Sequence, residues 1–210
     1  MRVRLAVLTT AGALCLATGH QHASAACAPL VSDKPGDATL SNPSSGSTLV
    51  AARSDPGLDI LSADIAADGR AFTVVVRLAG DVRSSAWPAG HSVEVVFRAG
   101  GETQWNLNTT FPLVGDAHTD LGQTADGSPT TPGTGDISAA GRSLRMSVPI
   151  TAFAALGGAP MKTGTAVYAI NVFTNRAAAV DGSGVYLPTP ADMASTNRSY
   201  RIGSGSCVRP

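Results

Sequence analysis

The chain has 210 residues, 43% of them hydrophobic, which is enough for one compact core and too little for several domains. Charged residues make up 14% and aromatics 5%, against 23 Gly and 13 Pro, which excludes a long charged helical bundle and leaves Ser, Thr, Asn and backbone to cover the surface. Lys plus Arg and Asp plus Glu balance at 15 each, so no net field draws in a phosphate backbone and nucleic acid is not an expected partner.

Arg2 and Arg4 precede a run from Leu5 to Thr18 that is apolar apart from small Thr and Gly. Ala23-Ser24-Ala25 then supplies the small-x-small pattern that a signal peptidase accepts. Residues 1–25 are therefore expected to be a signal peptide, whose removal leaves a secreted, faintly acidic chain beginning Ala26-Cys27. Gly19, His20, Gln21 and His22 end the run short of the roughly 18 apolar residues a spanning helix needs, so no membrane insertion is expected after cleavage. Ser24 stands where a lipoprotein signal would carry an apolar residue, which argues against lipidation of Cys27. Cys15 leaves with the signal, and Cys27 and Cys207 are expected to pair in the oxidising compartment, bringing the two ends together. They lack the C-x-x-C spacing of a redox pair.

Residues 26–54 are rich in Pro, Ser, Asp and Gly without periodicity and read as an irregular lead-in; the domain proper is expected over 55–210. Leu58–Ile65, Ala71–Leu78, Ser92–Arg98, Thr103–Thr110, Ser143–Val148 and Ala166–Thr174 are short, rich in Val, Ile, Thr, Phe or Tyr, and bounded by turn residues, the pattern of strands. Asp68-Gly69 and Gly100-Gly101 close tight hairpins, which makes the paired strands antiparallel. Leu113–Ala140 holds few apolar residues and reads as a long loop broken by at most a short edge strand, and a second loop is expected over about Arg176–Ser195. Ile150–Leu156, between Pro149 and Gly157-Gly158, predicts a helical turn. Tyr200–Ile202 predicts a closing strand that returns Cys207 to Cys27. The expected fold is all-β: a single-domain antiparallel β-sandwich, jelly-roll or immunoglobulin-like.

Period-two alternation separates the faces of these strands. Val93, Val95 and Phe97 oppose Glu94 and Arg98. Trp105, Leu107 and Thr109 oppose Gln104, Asn106 and Asn108. Leu144, Met146 and Val148 oppose Arg145. With Tyr168, Ile170 and Val172 inward, Asn171 and Asn175 face out. Trp105 falls on the core side, whereas Trp87 sits in a Ser-Ala-Trp-Pro-Ala-Gly loop and is the better platform for a sugar ring. Trp87, Glu94, Arg98, Gln104, Asn106, Asn108, Arg145 and Asn171 thus form the candidate ligand-binding set. Amides both donate and accept, which suits neutral, hydroxyl-rich ligands. A merely solvated outer face produces the same pattern.

Catalytic motifs are missing: there is no G-x-S-x-G elbow, no phosphate loop and no H-E-x-x-H. His91 and His118 have no second His or Cys at metal-ligand spacing. Asp55, Asp59, Asp64 and Asp68, and further on Asp116, Asp120, Asp126 and Asp136, do not match the alternating calcium loop and read as turn-forming residues. A structural calcium stays open, but no metal ligand, cofactor or catalytic residue is nominated.

Three segments resemble a family of secreted bacterial β-sandwich modules found at the C-terminal ends of exported subtilisin-like proteases and as free-standing exported proteins. These are Asp55–Ile65, Leu144–Pro149 and Ser199–Gly203 followed by Cys207. His91–Phe97, followed by a Gly turn and an aromatic strand, is similar to family-nine carbohydrate-binding modules and DOMON-type domains. The resemblance implies a jelly-roll-like sandwich. Two functions are expected from it and from the residues: an exported binding or accessory module for carbohydrate or cell-envelope glycan, or a structural or protein-interaction module serving a secreted partner.

Overall fold

A computed structural model describes residues 27–38, 55–84, 90–123, 129–180 and 185–208, with side chains undescribed at 177–180 and 185–189. The expected signal peptide, most of the lead-in, Trp87 and Asp126 lie outside these residues. The strands are β1 (Val31–Ser32), β2 (Ile60–Ala67), β3 (Ala71–Leu78), β4 (His91–Ala99), β5 (Gln104–Phe111), β6 (His118–Gln123), β7 (Thr130–Ile137), β8 (Ser143–Pro149), β9 (Ala166–Val180), β10 (Val185–Thr196) and β11 (Tyr200–Arg201). A single helical turn, α1 (Ala152–Ala155), follows β8. None of the described helices is long and apolar enough to cross a membrane.

All pairings are antiparallel, in the order β1-β2-β3-β8-β7-β6-β5-β4-β9-β10, with β11 added to β9. The all-β antiparallel fold is therefore as expected, but its two walls belong to one continuous sheet. The sheet turns over at β7, where Gly122↔Thr130 to Thr119↔Gly133 pair with β6 and Thr134–Ile137 pair with β8. A strand that passes from one wall to the other needs a bend and close approach, and the β7 sequence permits both. Pro132 offers no N–H to a ladder. A Cβ on Gly133 would lie 2.6 Å from the Ser147 carbonyl, and one on Gly135 would overlap the Thr119 hydroxyl. Beneath the corner, Thr109 and Thr119 share a buried 2.7 Å hydrogen bond.

Two expected loops are instead strands. β6 and β7 lie within Leu113–Ala140, and the long hairpin of β9 and β10 occupies Arg176–Ser195. Both escape a reading based on apolar periodicity, because β7 buries almost nothing and β10 carries Pro188 and Pro190. Those prolines are tolerated because β10 has a ladder on one side only. Arg176, expected in a loop, is fully buried. β1 also forms inside the lead-in.

The core is the inner face of both walls. Phe72, Val74 and Val76 on β3 and Leu144, Met146 and Val148 on β8 face Val93, Val95 and Phe97 on β4 and Trp105 and Leu107 on β5, all of them buried. Each such side chain stabilises the fold by about 1.5–3 kcal/mol. Phe153 of α1 plugs one end, meeting Phe72 and Trp105 edge-on at 5.3 and 4.9 Å, while Phe72 stacks on Phe97 across the walls at 5.0 Å.

At the open side of the sheet, β1 lies against β10 and β2 against β9 and β10, so the sheet is nearly closed into a barrel. Side chains rather than a backbone ladder bind this seam. The Ile60 amide donates to Asp192 Oδ2 at 2.7 Å, the Thr174 hydroxyl donates to the Leu58 carbonyl at 2.5 Å, and the Ala67 amide donates to Tyr200 Oη at 2.9 Å. Cys27 and Cys207 are joined by a disulfide with Cα atoms 5.4 Å apart. Arg198 Nη1 donates to the Pro29 carbonyl at 2.7 Å beside it.

Candidate functional site: the outer face of the β4 wall

Register places outward side chains of six strands in straight rows. One row runs Met193, Phe173, Glu94, Asn108, Asp120, Pro132 across β10, β9, β4, β5, β6 and β7. The next runs Ser195, Asn171, Val96, Asn106, Gly122, Thr130. Gly122, without a side chain, keeps the floor of the second row low. Alternation along each strand creates these rows, since the residues between them are the buried Val95, Leu107, Leu121 and Val172.

Glu94 is the centre of the arrangement. Asn106 Nδ2 donates to its Oε1 at 2.6 Å and Asn175 Nδ2 donates to its Oε2 at 3.0 Å, so amides from the strands on either side clamp one carboxylate. Burial raises the Glu94 carboxyl above its ordinary value, opposed by the Asn175 hydrogen bond. Asn108 Nδ2 donates to Thr110 Oγ1 at 3.0 Å. The Oδ1 atoms of Asn106 and Asn108 are buried acceptors with no donor among the described residues. Phe173 is half-buried and Met193 is 58% exposed, giving the polar rows an apolar margin.

The structure thus brings Glu94, Asn106, Asn108 and Asn171 together on one face. Arg98 and the exposed Gln104 sit at its far end, opposite one another in register. There Arg98 Nη1 pairs with Glu102 at 2.6 Å and the Tyr168 hydroxyl donates to the Gly101 carbonyl at 2.9 Å, so the guanidinium is tied to the Gly100-Gly101 turn. Tyr168, expected inward, lies on the outer side. Ala169 adopts φ 50° where β9 carries an extra residue between Tyr168 and Asn171, and that bulge reverses the alternation. Arg145 does not join the site. It lies on β8 between Asp136 of β7 and Val75 of β3, on the outside of the opposite wall. Asn171 Nδ2 donates to the Ala169 carbonyl at 3.1 Å.

Phe173 and Asp120 were missed in the sequence. The signal for Phe173 was available, because inward Val172 and Thr174 place it with Asn171 and Asn175; an aromatic among aliphatic residues simply reads as core. Asp120 sat in a segment read as loop.

A second recess of about 260 Å³ opens at the end of β4 and β5, lined by Arg83, Gly90, His91, Phe111, Leu113 and Ala117. His91 stacks on Phe111 with ring centroids 4.6 Å apart. Burial lowers its pKa, opposed by a hydrogen bond with the Val82 backbone and the charge of Asp55. His118, at the start of β6, lies 3.8 Å from Asp120. Neither histidine belongs to a metal-spaced cluster among the described residues; the group that does gather lies at the seam.

No protein-family model matches the chain, and no curated protein or solved structure matches it.

Proposed function

We propose that the protein is an exported, non-catalytic binding or accessory module whose outer β4 face takes a neutral, hydroxyl-rich ligand such as an extracellular or cell-envelope glycan. The carrying observation is the row in which half-buried Phe173 adjoins Glu94 and Asn108. An aromatic edge beside fixed amide and carboxylate groups is the combination that a sugar ring with its hydroxyls requires. Export is supported by the disulfide, which persists in oxidising compartments.

A glycan array probed with the mature chain tests this. Binding is expected, with at least tenfold loss in Phe173→Ala and Asn108→Ala and no loss in Arg145→Ala on the opposite wall. Trp87→Ala measures whether the loop contributes a platform. Absence of binding to any polysaccharide, or wild-type binding by both face variants, would reject the reading. The second reading, a protein-interaction module, is favoured by adjacent Leu113 and Val114, which are 67% and 86% exposed. It predicts no glycan binding and loss of a secreted protein partner in Leu113→Asp.

A further inference from the structure

Four carboxylates converge where the barrel seam begins. Asp33 and Asp37 flank the turn after β1, Asp59 precedes β2, and Asp192 lies in β10. Carboxylate oxygens of Asp33, Asp37 and Asp192 all lie within 4.8 Å of one another. That is the span of two ligands on opposite sides of a calcium ion at about 2.4 Å. Three of the groups are already held in place. Asp192 accepts the Ile60 amide at 2.7 Å on one oxygen and the Met193 amide at 2.7 Å on the other. Asp33 Oδ1 accepts the Lys34 amide at 2.8 Å. Asp59 Oδ2 accepts the amide of Gly36, within the Asp33–Asp37 turn, at 2.8 Å.

What these bonds leave over points to a ligand. Asp59 is only 3% exposed, and its carboxylate is turned into the same turn, yet its Oδ1 has no hydrogen-bond donor; neither has the buried Oδ2 of Asp33. Burying carboxylate oxygens with neither donor nor cation is strongly unfavourable. The charges that act on Asp33 and Asp192 here are those of other carboxylates. All the donors are hard oxygens, with no imidazole or thiolate, which selects calcium over transition metals.

We propose that Asp33, Asp37 and Asp192 ligate a calcium ion, with Asp59 behind them, and that this ion clasps β1 to β10 across the seam. The site lies outside the polar face and is independent of any glycan. Its three ligands lie outside the carboxylate groups that the sequence brings to notice, because Asp192 is far along the chain from Asp33 and Asp37.

Calorimetric titration of the EDTA-stripped, disulfide-bonded chain with calcium chloride tests the proposal. Kd is expected at about 0.1–1 mM, the range of extracellular modules. Calcium at about 10 mM should then raise Tm by about 5 °C. Asp37 is exposed, so Asp37→Asn is expected to fold normally, bind calcium at least tenfold more weakly and lose the Tm rise. Asp33→Asn should do the same, and Asp116→Asn, in the β5–β6 connection, should match wild type. A wild-type chain with no heat of binding and no Tm shift, or full binding by both Asp37→Asn and Asp33→Asn, would overturn the site. An equal response to magnesium would overturn its assignment to calcium.

Discussion

Phe153 meets Trp105 edge-on, with ring centroids 4.9 Å apart and planes at 81°. The contact fastens the α1 turn to the wall that carries the polar face. Gly158 passes so close to the indole that any Cβ there would overlap it. Removing the plug leaves a cavity bordered by three aromatic rings, so Phe153→Ala is expected to lower stability by about 3–5 kcal/mol. Gly158→Ala should also destabilise, through overpacking, by about 1–3 kcal/mol. Urea unfolding monitored by Trp fluorescence checks both; midpoints within error of wild type would contradict the packing described.

Glu94 is expected to give the fold an acid-side advantage. Its folded-state pKa lies above its ordinary value, so the folded protein holds the proton more tightly than the unfolded chain. The stabilisation this lends is complete below about pH 4.3 and is lost as pH rises through the raised value. Glu94→Gln removes that dependence. The Tm of Glu94→Gln minus that of wild type should therefore climb between pH 4 and pH 7, and parallel pH curves would count against it.

His91 acts in the opposite sense. Its folded-state pKa is lowered, chiefly by burial, so the neutral ring is the one that the structure accommodates. Its contribution is present above the unfolded value of about 6.5 and is lost as pH falls. Wild type should lose more Tm between pH 7 and pH 5 than His91→Gln does. The slopes decide this, since loss of the stack on Phe111 offsets the variant at every pH.

Reduction of the Cys27–Cys207 bond, or the Cys27→Ser/Cys207→Ser pair, releases a loop spanning a sequence separation of 180 residues. Loop-closure entropy for that length is on the order of 5 kcal/mol. Differential scanning calorimetry should show Tm falling by about 10 °C or more. A shift under 2 °C would mean that the side-chain bonds of the seam hold the ends together unaided.

How much of this was legible in the sequence follows from where apolar residues carry the structure. β3, β4, β5 and β8 alternate Val, Leu, Phe or Met with polar residues, and their ranges and buried faces could be read within a residue or two. The amide face came with them, because Asn106 and Asn108 are fixed by the same alternation as Trp105 and Leu107. β7 was not legible, since its position depends on glycines that allow backbone contact rather than on burial. The reversal at Ala169 left no mark in composition, yet it moved Tyr168 to the other side of the sheet. Arg145 has the right alternation for an outer residue; which of two walls it belongs to is a matter of topology that periodicity does not encode. The acidic group at the seam depends in the same way on strand order, which alone brings Asp192 to Asp33.

With Cys27 and Cys207 bonded side by side, the sheet is entered and left at a single point. Such an arrangement allows the unit to be spliced into an exposed turn of a larger host without prying that turn apart. Equally, a short linker joining the residues beside Cys27 and Cys207 should permit circular permutation, with new ends opened at an exposed turn such as Glu102 or Gly115.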